Sequence, residues 1–137
     1  MEKVEVMPLD KAMEEVVAWL DYKRISQSDR DKYKDSIDKL AEHVSNGELT
    51  IDGERVITHN LIFPVTVANK LIDKITYKPF LTVKEVKEKT QKVKAGDSDG
   101  RLQAYVEACS GMQEQVLDKL NTVDSNIANS VAVFFMV

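Results

Sequence analysis

The apolar residues change period at Gly47, and that change constrains the fold more than any motif in the chain. Before it, Leu9, Met13, Val16, Val17 and Leu20 recur at helical spacing, as do Tyr33, Ile37, Leu40, Ala41 and Val44. A stripe of period 3.6 is what a helix needs to bury one face. After it, Leu49-Thr50-Ile51 and Val56-Ile57-Thr58 read as strands. From Thr82 onward the helical period returns in short pieces. The pattern predicts an α+β domain, mainly helical: an N-terminal helical hairpin over 1–47, then a small antiparallel β-sheet and a C-terminal cluster of short helices over 48–137, packed as one compact unit.

Punctuation residues set the expected boundaries. Pro8 suits the start of the first helix, where its missing N–H is no loss, and Trp19 flanks the apolar stripe. A second helix is expected from Ser28 to Asn46, stopped by Gly47, with the short link Lys23 to Gln27 making the pair a hairpin. Asp52-Gly53 predicts a two-residue β-turn, and Leu61 to Phe63 should end at Pro64. A further strand is expected from Leu71 to Tyr77, joined through Thr66 to Lys70. Thr82 with Glu85 three residues on forms a capping box, opening a helix whose buried stripe would be Val83, Val86, Thr90 and Val93. Gly96 to Gly100 reads as a turn. Leu102, Tyr105, Val106 and Cys109 then line a helix ended by Gly111, and Met112 to Leu120 adds a turn or two. A last helix from Asp124, capped by Thr122 or Asp124, would bury Ile127, Val131, Phe134 and Phe135.

Composition narrows the function. With 43% hydrophobic and 31% charged residues, the 137-residue chain has the balance of an ordinary globular protein. Its net charge of −4 argues against phosphate binding as its main task, and points to proteins as partners. A lone cysteine, Cys109, on an apolar stripe reads as a buried structural thiol in a reducing compartment. Met1 to Val6 lacks the basic and apolar regions of a secretory leader, and no apolar run is long enough to span a bilayer. His43 and His59 have no second ligand at i+3 or i+4, so no metal-ligand spacing arises, and both read as surface or strand histidines. Asp97-Ser98-Asp99-Gly100 has part of a calcium loop but not its remaining ligands. No phosphate-cradling glycine motif, nucleophile–base pair or cofactor motif is found, and the expected role is non-enzymatic.

Two stretches have the composition of interaction surfaces. Lys84, Lys87, Lys89, Lys92 and Lys94 concentrate positive charge along the Thr82 helix; interleaved by Glu85 and Glu88, they form either a solvated face or a contact for an acidic partner or nucleic acid. The C-terminal segment, Val131 to Val137, is apolar around more of a helix than one core-facing stripe requires. It is either packed on both sides or docks a partner through Ile127, Val131, Phe134 and Phe135.

The order from Ile57 to Phe135 resembles the tail assembly chaperones of long-tailed phages. The resemblance rests on a strand ending Thr76-Tyr77-Lys78-Pro79, the helix start Leu81-Thr82-Val83-Lys84-Glu85-Val86, the helix Leu102 to Cys109, Ser110-Gly111-Met112 with Val116-Leu117-Asp118-Lys119-Leu120, and Val123-Asp124 leading to Val133-Phe134-Phe135. The chain departs from the family pattern at Lys84-Glu85, where an acid usually follows the helix opening, and in its N-terminal helical hairpin. The resemblance implies a non-enzymatic protein of the bacterial host cytoplasm that binds the tape measure protein, keeps its long helices soluble and helps recruit tail tube protein, with self-association into a homo-oligomer left open. It would place the client on Ile127, Val131, Phe134 and Phe135, with Lys84, Lys87, Lys92 and Lys94 as a basic contact face. Two other readings stay open: a structural head–tail or tail protein retained in the virion, and a small nucleic-acid-binding protein with a helix-turn-helix over Leu102 to Leu120.

Overall fold

The computed structural model describes residues 6–137 and has an α+β architecture. Three helices come first: α1 (Leu9–Tyr22), α2 (Gln27–Lys32) and α3 (Lys34–Ser45). Strands β1 (Leu49–Ile51), β2 (Ile57–Val67) and β3 (Lys70–Tyr77) form one antiparallel sheet in the order β1-β2-β3. Helices α4 (Val83–Thr90), α5 (Ser98–Ser110), α6 (Glu114–Leu117) and α7 (Thr122–Ala132) follow, and a 3₁₀ turn over Val133–Phe135 closes the chain. One buried cluster draws on both halves, including Trp19 and Leu20 from α1, Leu40 and Val44 from α3, Ile57 and Ile75 from the sheet, and Ile127, Val131 and Phe134 from the C-terminal end.

The expected second helix is two. Ser26, not Ser28, caps α2, its hydroxyl accepting from the Asp29 N–H at 3.1 Å. Tyr33 then leaves helical geometry (φ −108°, ψ 29°), and its ring meets Phe134 edge-on at 6.1 Å. Both α1 and α3 end in the same way. After α3, Gly47 at φ +79° lets its own N–H reach the Val44 carbonyl and that of Glu48 reach the His43 carbonyl. After α1, Arg24 at φ +57° does the same, with Arg24 N–H on Asp21 and Ile25 N–H on Leu20. This paired bonding satisfies helix-end carbonyls and ordinarily selects glycine at the left-handed position.

The sheet corrects three expectations. Asp52-Gly53 does not make a two-residue turn: Ile51 pairs with Ile57, and within the wider loop it is Arg55 that takes positive φ (+67°). The Asp52 carboxylate organises this loop by accepting from the N–H groups of Glu54 (2.9 Å) and Val56 (3.0 Å). The tight turn lies instead at Ala68 and Asn69, both at positive φ between the paired Val67 and Lys70. Strand β2 runs on through Pro64, because β1 pairs only as far as His59 and the missing N–H forfeits no ladder bond there. The β2–β3 register shifts between Asn60 and Val65. At the bulge Phe63 is 47% exposed, and beyond it Leu71 is 68% exposed while Ile72 stays packed against the core.

Helix α4 has the expected capping box, but no residue of it is fully buried. Val83, expected in a buried stripe, is 71% exposed. Helix α5 starts earlier than expected, because the Asp97 carboxylate caps it by accepting from the Gly100 N–H at 2.9 Å. Asn121 caps α7, which begins at Thr122. Asp124, a candidate cap from sequence, is used elsewhere. No helix among the described residues is long and apolar enough to cross a membrane.

Candidate partner-binding groove

Of the residues expected to meet a client, Ile127, Val131 and Phe134 lie in the core, at 1%, 0% and 1% exposure. As placed, they offer almost no surface to a partner, Phe134 reaching only the lining of the groove to which Phe135 belongs. Their apolar excess is used internally: α7 packs against α3, α5 and the sheet, and its exposed side carries Thr122, Val123 and Asn126 instead. Phe135 differs. In a 3₁₀ turn successive side chains point about 120° apart, so with Phe134 directed inward Phe135 turns toward the surface and is half-buried.

Phe135 belongs to an open groove of about 370 Å³. One wall is the end of α1, Tyr22 to Ile25; the other is Pro79, Phe80 and Leu81 with Val86 of α4; Phe134, Phe135 and Val137 complete the lining. Each wall is tied down by local hydrogen bonds. On the α1 side, Arg30 donates to the Ile25 carbonyl (2.9 Å) and to the Asp21 carboxylate (2.9 Å), and Ile25 is itself buried. On the other, the Lys78 N–H donates to the Cys109 carbonyl at 2.8 Å and the Lys78 ammonium pairs with Glu85 at 2.6 Å. Glu85 also closes the capping box with Thr82, and the Lys78 and Thr82 hydrogen bonds hold its carboxyl below the usual range. Large apolar groups remain open to solvent here: Phe80 is 60% exposed, Tyr22 49% and Val137 43%. Exposed apolar side chains gathered around a concavity mark a contact surface more clearly than scattered ones.

Lys23 lies against the aromatic end of this groove. Its ammonium sits 3.4 Å from the centroid of the Phe135 ring and 5.4 Å from that of Trp19. Burial lowers the amine to about 8, against an ordinary 10.5, while the aromatic faces favour the charged form. Trp19 also meets Phe134 edge-on at 5.8 Å, and among the described residues its indole N–H has no hydrogen-bond partner.

The lysines Lys84, Lys87, Lys92 and Lys94 are all exposed, the first two on α4 and the others in the turn after it. They do not line the apolar groove. Lys94 and Arg101 line a separate shallow site with Asp97 and Ser98 at the start of α5. The stretch Leu102 to Leu120 holds α5 and the four-residue α6, a single turn and too short to lie along a major groove as a recognition helix.

A second constellation, deep in the core, was invisible to sequence spacing. His59 and Asp124, 65 residues apart, are both 0% exposed and meet at 3.2 Å through Nε2 and Oδ1. Asp124 also accepts the N–H groups of Ile62 and Phe63, each at 2.9 Å, so one carboxylate takes two successive donors that the β-bulge frees. The Nδ1 of His59 lies 2.8 Å from the Tyr77 hydroxyl. Because a carboxylate only accepts, Nε2 carries the proton and neutral Nδ1 accepts from Tyr77. Burial pushes the His59 imidazole below its usual range and the Tyr77 hydroxyl well above its own, so Tyr77 stays a donor. This Tyr–His–Asp chain has the residue types of a proton relay, but none of its members lines a groove. It serves as a polar rivet between sheet and α7. Cys109 is equally enclosed, its thiol raised to about 12 chiefly by burial. Among the described residues no three His, Cys, Asp or Glu side chains gather as metal ligands.

No protein-family model, curated protein or solved structure matches this chain.

Proposed function

We propose that this protein is a non-enzymatic phage tail assembly chaperone, which shelters a helical segment of the tape measure protein and helps recruit tail tube protein. The observation that carries the binding part of this reading is the open apolar groove between Tyr22–Ile25 and Pro79–Leu81, floored by Phe135. An amphipathic helix lays its apolar stripe into such a groove, and walls already tied down spare the complex the entropy of ordering them. The assignment to tail assembly is supported by the resemblance of Ile57 to Phe135 to that family. Client contact moves from the α7 face to the groove, with Phe135 and the nearly buried Phe134 common to both. Many weak contacts along an extended client would give useful avidity without any single tight site.

The test is co-expression with the products of neighbouring genes, above all a very long helical one, followed by capture on a tagged copy of this chain. Truncation at Asp124 is no control, since it deletes core residues Ile127, Val131 and Phe134. Phe80→Asp is better, because this side chain is 60% exposed and its loss spares the core. Capture of the long helical protein by the native chain and not by the variant is expected; equal capture by both would remove the groove from the reading. Presence of the protein in purified particles would favour a structural tail or head–tail component instead.

A further inference from the structure

The charged side chains that line the groove are of one sign. Its only ionisable side chains with a formal charge are Lys23 and Arg24, and no aspartate or glutamate lines it. Neither cation is ion-paired among the described residues. The nearest acid in sequence, Asp21, is engaged by Arg30 at 2.9 Å. In a chain of net charge −4, the groove thus sets two cations beside its aromatic and aliphatic lining. Arg24 is also out of place on backbone grounds. It occupies a left-handed position, φ +57°, at which the matching helix end after α3 has Gly47. A non-glycine, charged residue there is held against a local preference, and such positions concentrate at contact sites.

We propose that the groove selects acidic amphipathic helices, with Lys23 and Arg24 meeting carboxylates that flank the client's apolar stripe. This rests on the client-binding reading of the groove and adds the charge of the occupant. Lys23 contributes its amine from a half-buried position over Phe135, where an incoming carboxylate is screened less than on open surface. Arg24 is exposed and offers a planar fork that can hold a carboxylate by two hydrogen bonds. A basic helix would set like charges against this rim, so selection acts by repulsion as well as attraction. The lysines of α4 do not serve this purpose, since Glu85 and Glu88 alternate with them.

The experiment uses the full chain and three labelled helical peptides of about 18 residues, long enough for a stable apolar stripe. They share one leucine stripe and differ only in flanking residues: glutamate, glutamine or lysine. Fluorescence anisotropy at neutral pH and moderate salt is expected to rank them glutamate, glutamine, lysine, with roughly tenfold between the extremes. The double variant Lys23→Met, Arg24→Gln should close that gap between the glutamate and lysine peptides, and its urea midpoint checks that it folds. Equal affinity for all three peptides, or a gap that survives in the variant, would overturn the acidic preference and leave the groove a charge-indifferent client site. Failure of every peptide to bind would overturn the client reading itself. A dimer in sedimentation that Phe80→Asp disperses would show the groove covered by a second copy and overturn both.

Discussion

Replacing Asp124 by alanine should remove a large part of the stability of this fold. The carboxylate takes three donors: Ile62 N–H at 2.9 Å, Phe63 N–H at 2.9 Å and His59 Nε2–H at 3.2 Å. His59 is 0% exposed, while the Ile62 and Phe63 N–H groups make part-buried hydrogen bonds. Leaving a buried donor unpaired costs about 1–3 kcal/mol; with about 2 kcal/mol for His59 and about 1 kcal/mol for each part-buried N–H, the three lose about 4 kcal/mol together. Relief from burying the Asp124 charge offsets part of this, and a net loss of about 3 kcal/mol is expected. Urea unfolding followed by the fluorescence of Trp19, the sole tryptophan, reads it as a midpoint lowered by about 1–2 M. The same network gives stability a defined pH dependence. His59 is neutral when folded, with its pKa lowered from 6.5, so the unfolded chain binds more protons just below pH 6.5. Its contribution is complete above 6.5 and is lost as pH falls through the lowered folded value. His59→Gln should flatten that part of the profile. A loss under about 1 kcal/mol for Asp124→Ala, or an unchanged pH profile for His59→Gln, would refute the rivet as described.

Three further outcomes follow from particular positions. Arg24→Gly should raise stability by about 0.5–1 kcal/mol in urea unfolding, since it removes a non-glycine residue from φ +57°; a loss would mean that the Arg24 side chain makes compensating contacts. Thr82→Ala removes the α4 cap at a cost of about 1 kcal/mol. Because α4 has no fully buried residue, this should appear as roughly fivefold faster amide exchange within Val83–Thr90, with the global urea midpoint nearly unchanged. Cys109, buried and raised to about 12, should react with a thiol reagent at pH 8 at least a hundredfold more slowly than after unfolding; prompt labelling of the native chain would contradict its enclosure.

Periodicity was a good guide wherever one face is buried and the other is wet. Val16 and Leu20 of the first stripe and Ile37 to Val44 of the second turn inward, though Leu9 (51%) and Val17 (37%) at the edges of the first stripe stay exposed; Gly47 and Gly111 end their helices at positive φ as expected. It misled where the same residue types serve another purpose. Val83 fits a helical stripe yet is 71% exposed, because α4 lies at the margin with little beneath it. The apolar run at the C terminus looked like a surface in excess, but three elements pack around α7 and absorb it. Turn chemistry was legible only through glycine. Arg24, Arg55, Ala68 and Asn69 all take positive φ without it, so one helix end and two strand connections were silent. The rivet was not legible at all: His59 and Asp124 are 65 residues apart, and only the fold brings them within 3.2 Å. A hint existed in Asp124, an acid preceding an apolar helix that has a better cap in Asn121 and was therefore free for another use. The groove likewise joins the end of α1 to the loop before α4, segments that no local pattern links.

The most direct measurement is hydrogen–deuterium exchange on the native chain with and without the long helical client it captures. Protection concentrated in residues 22–25, 79–86 and 133–137 is the expected result, with the exposed hairpin tip around Ala68 unchanged. Protection confined to the lysines after α4 or to the β2–β3 hairpin, with those three segments exchanging as before, would contradict the groove as the client-binding surface.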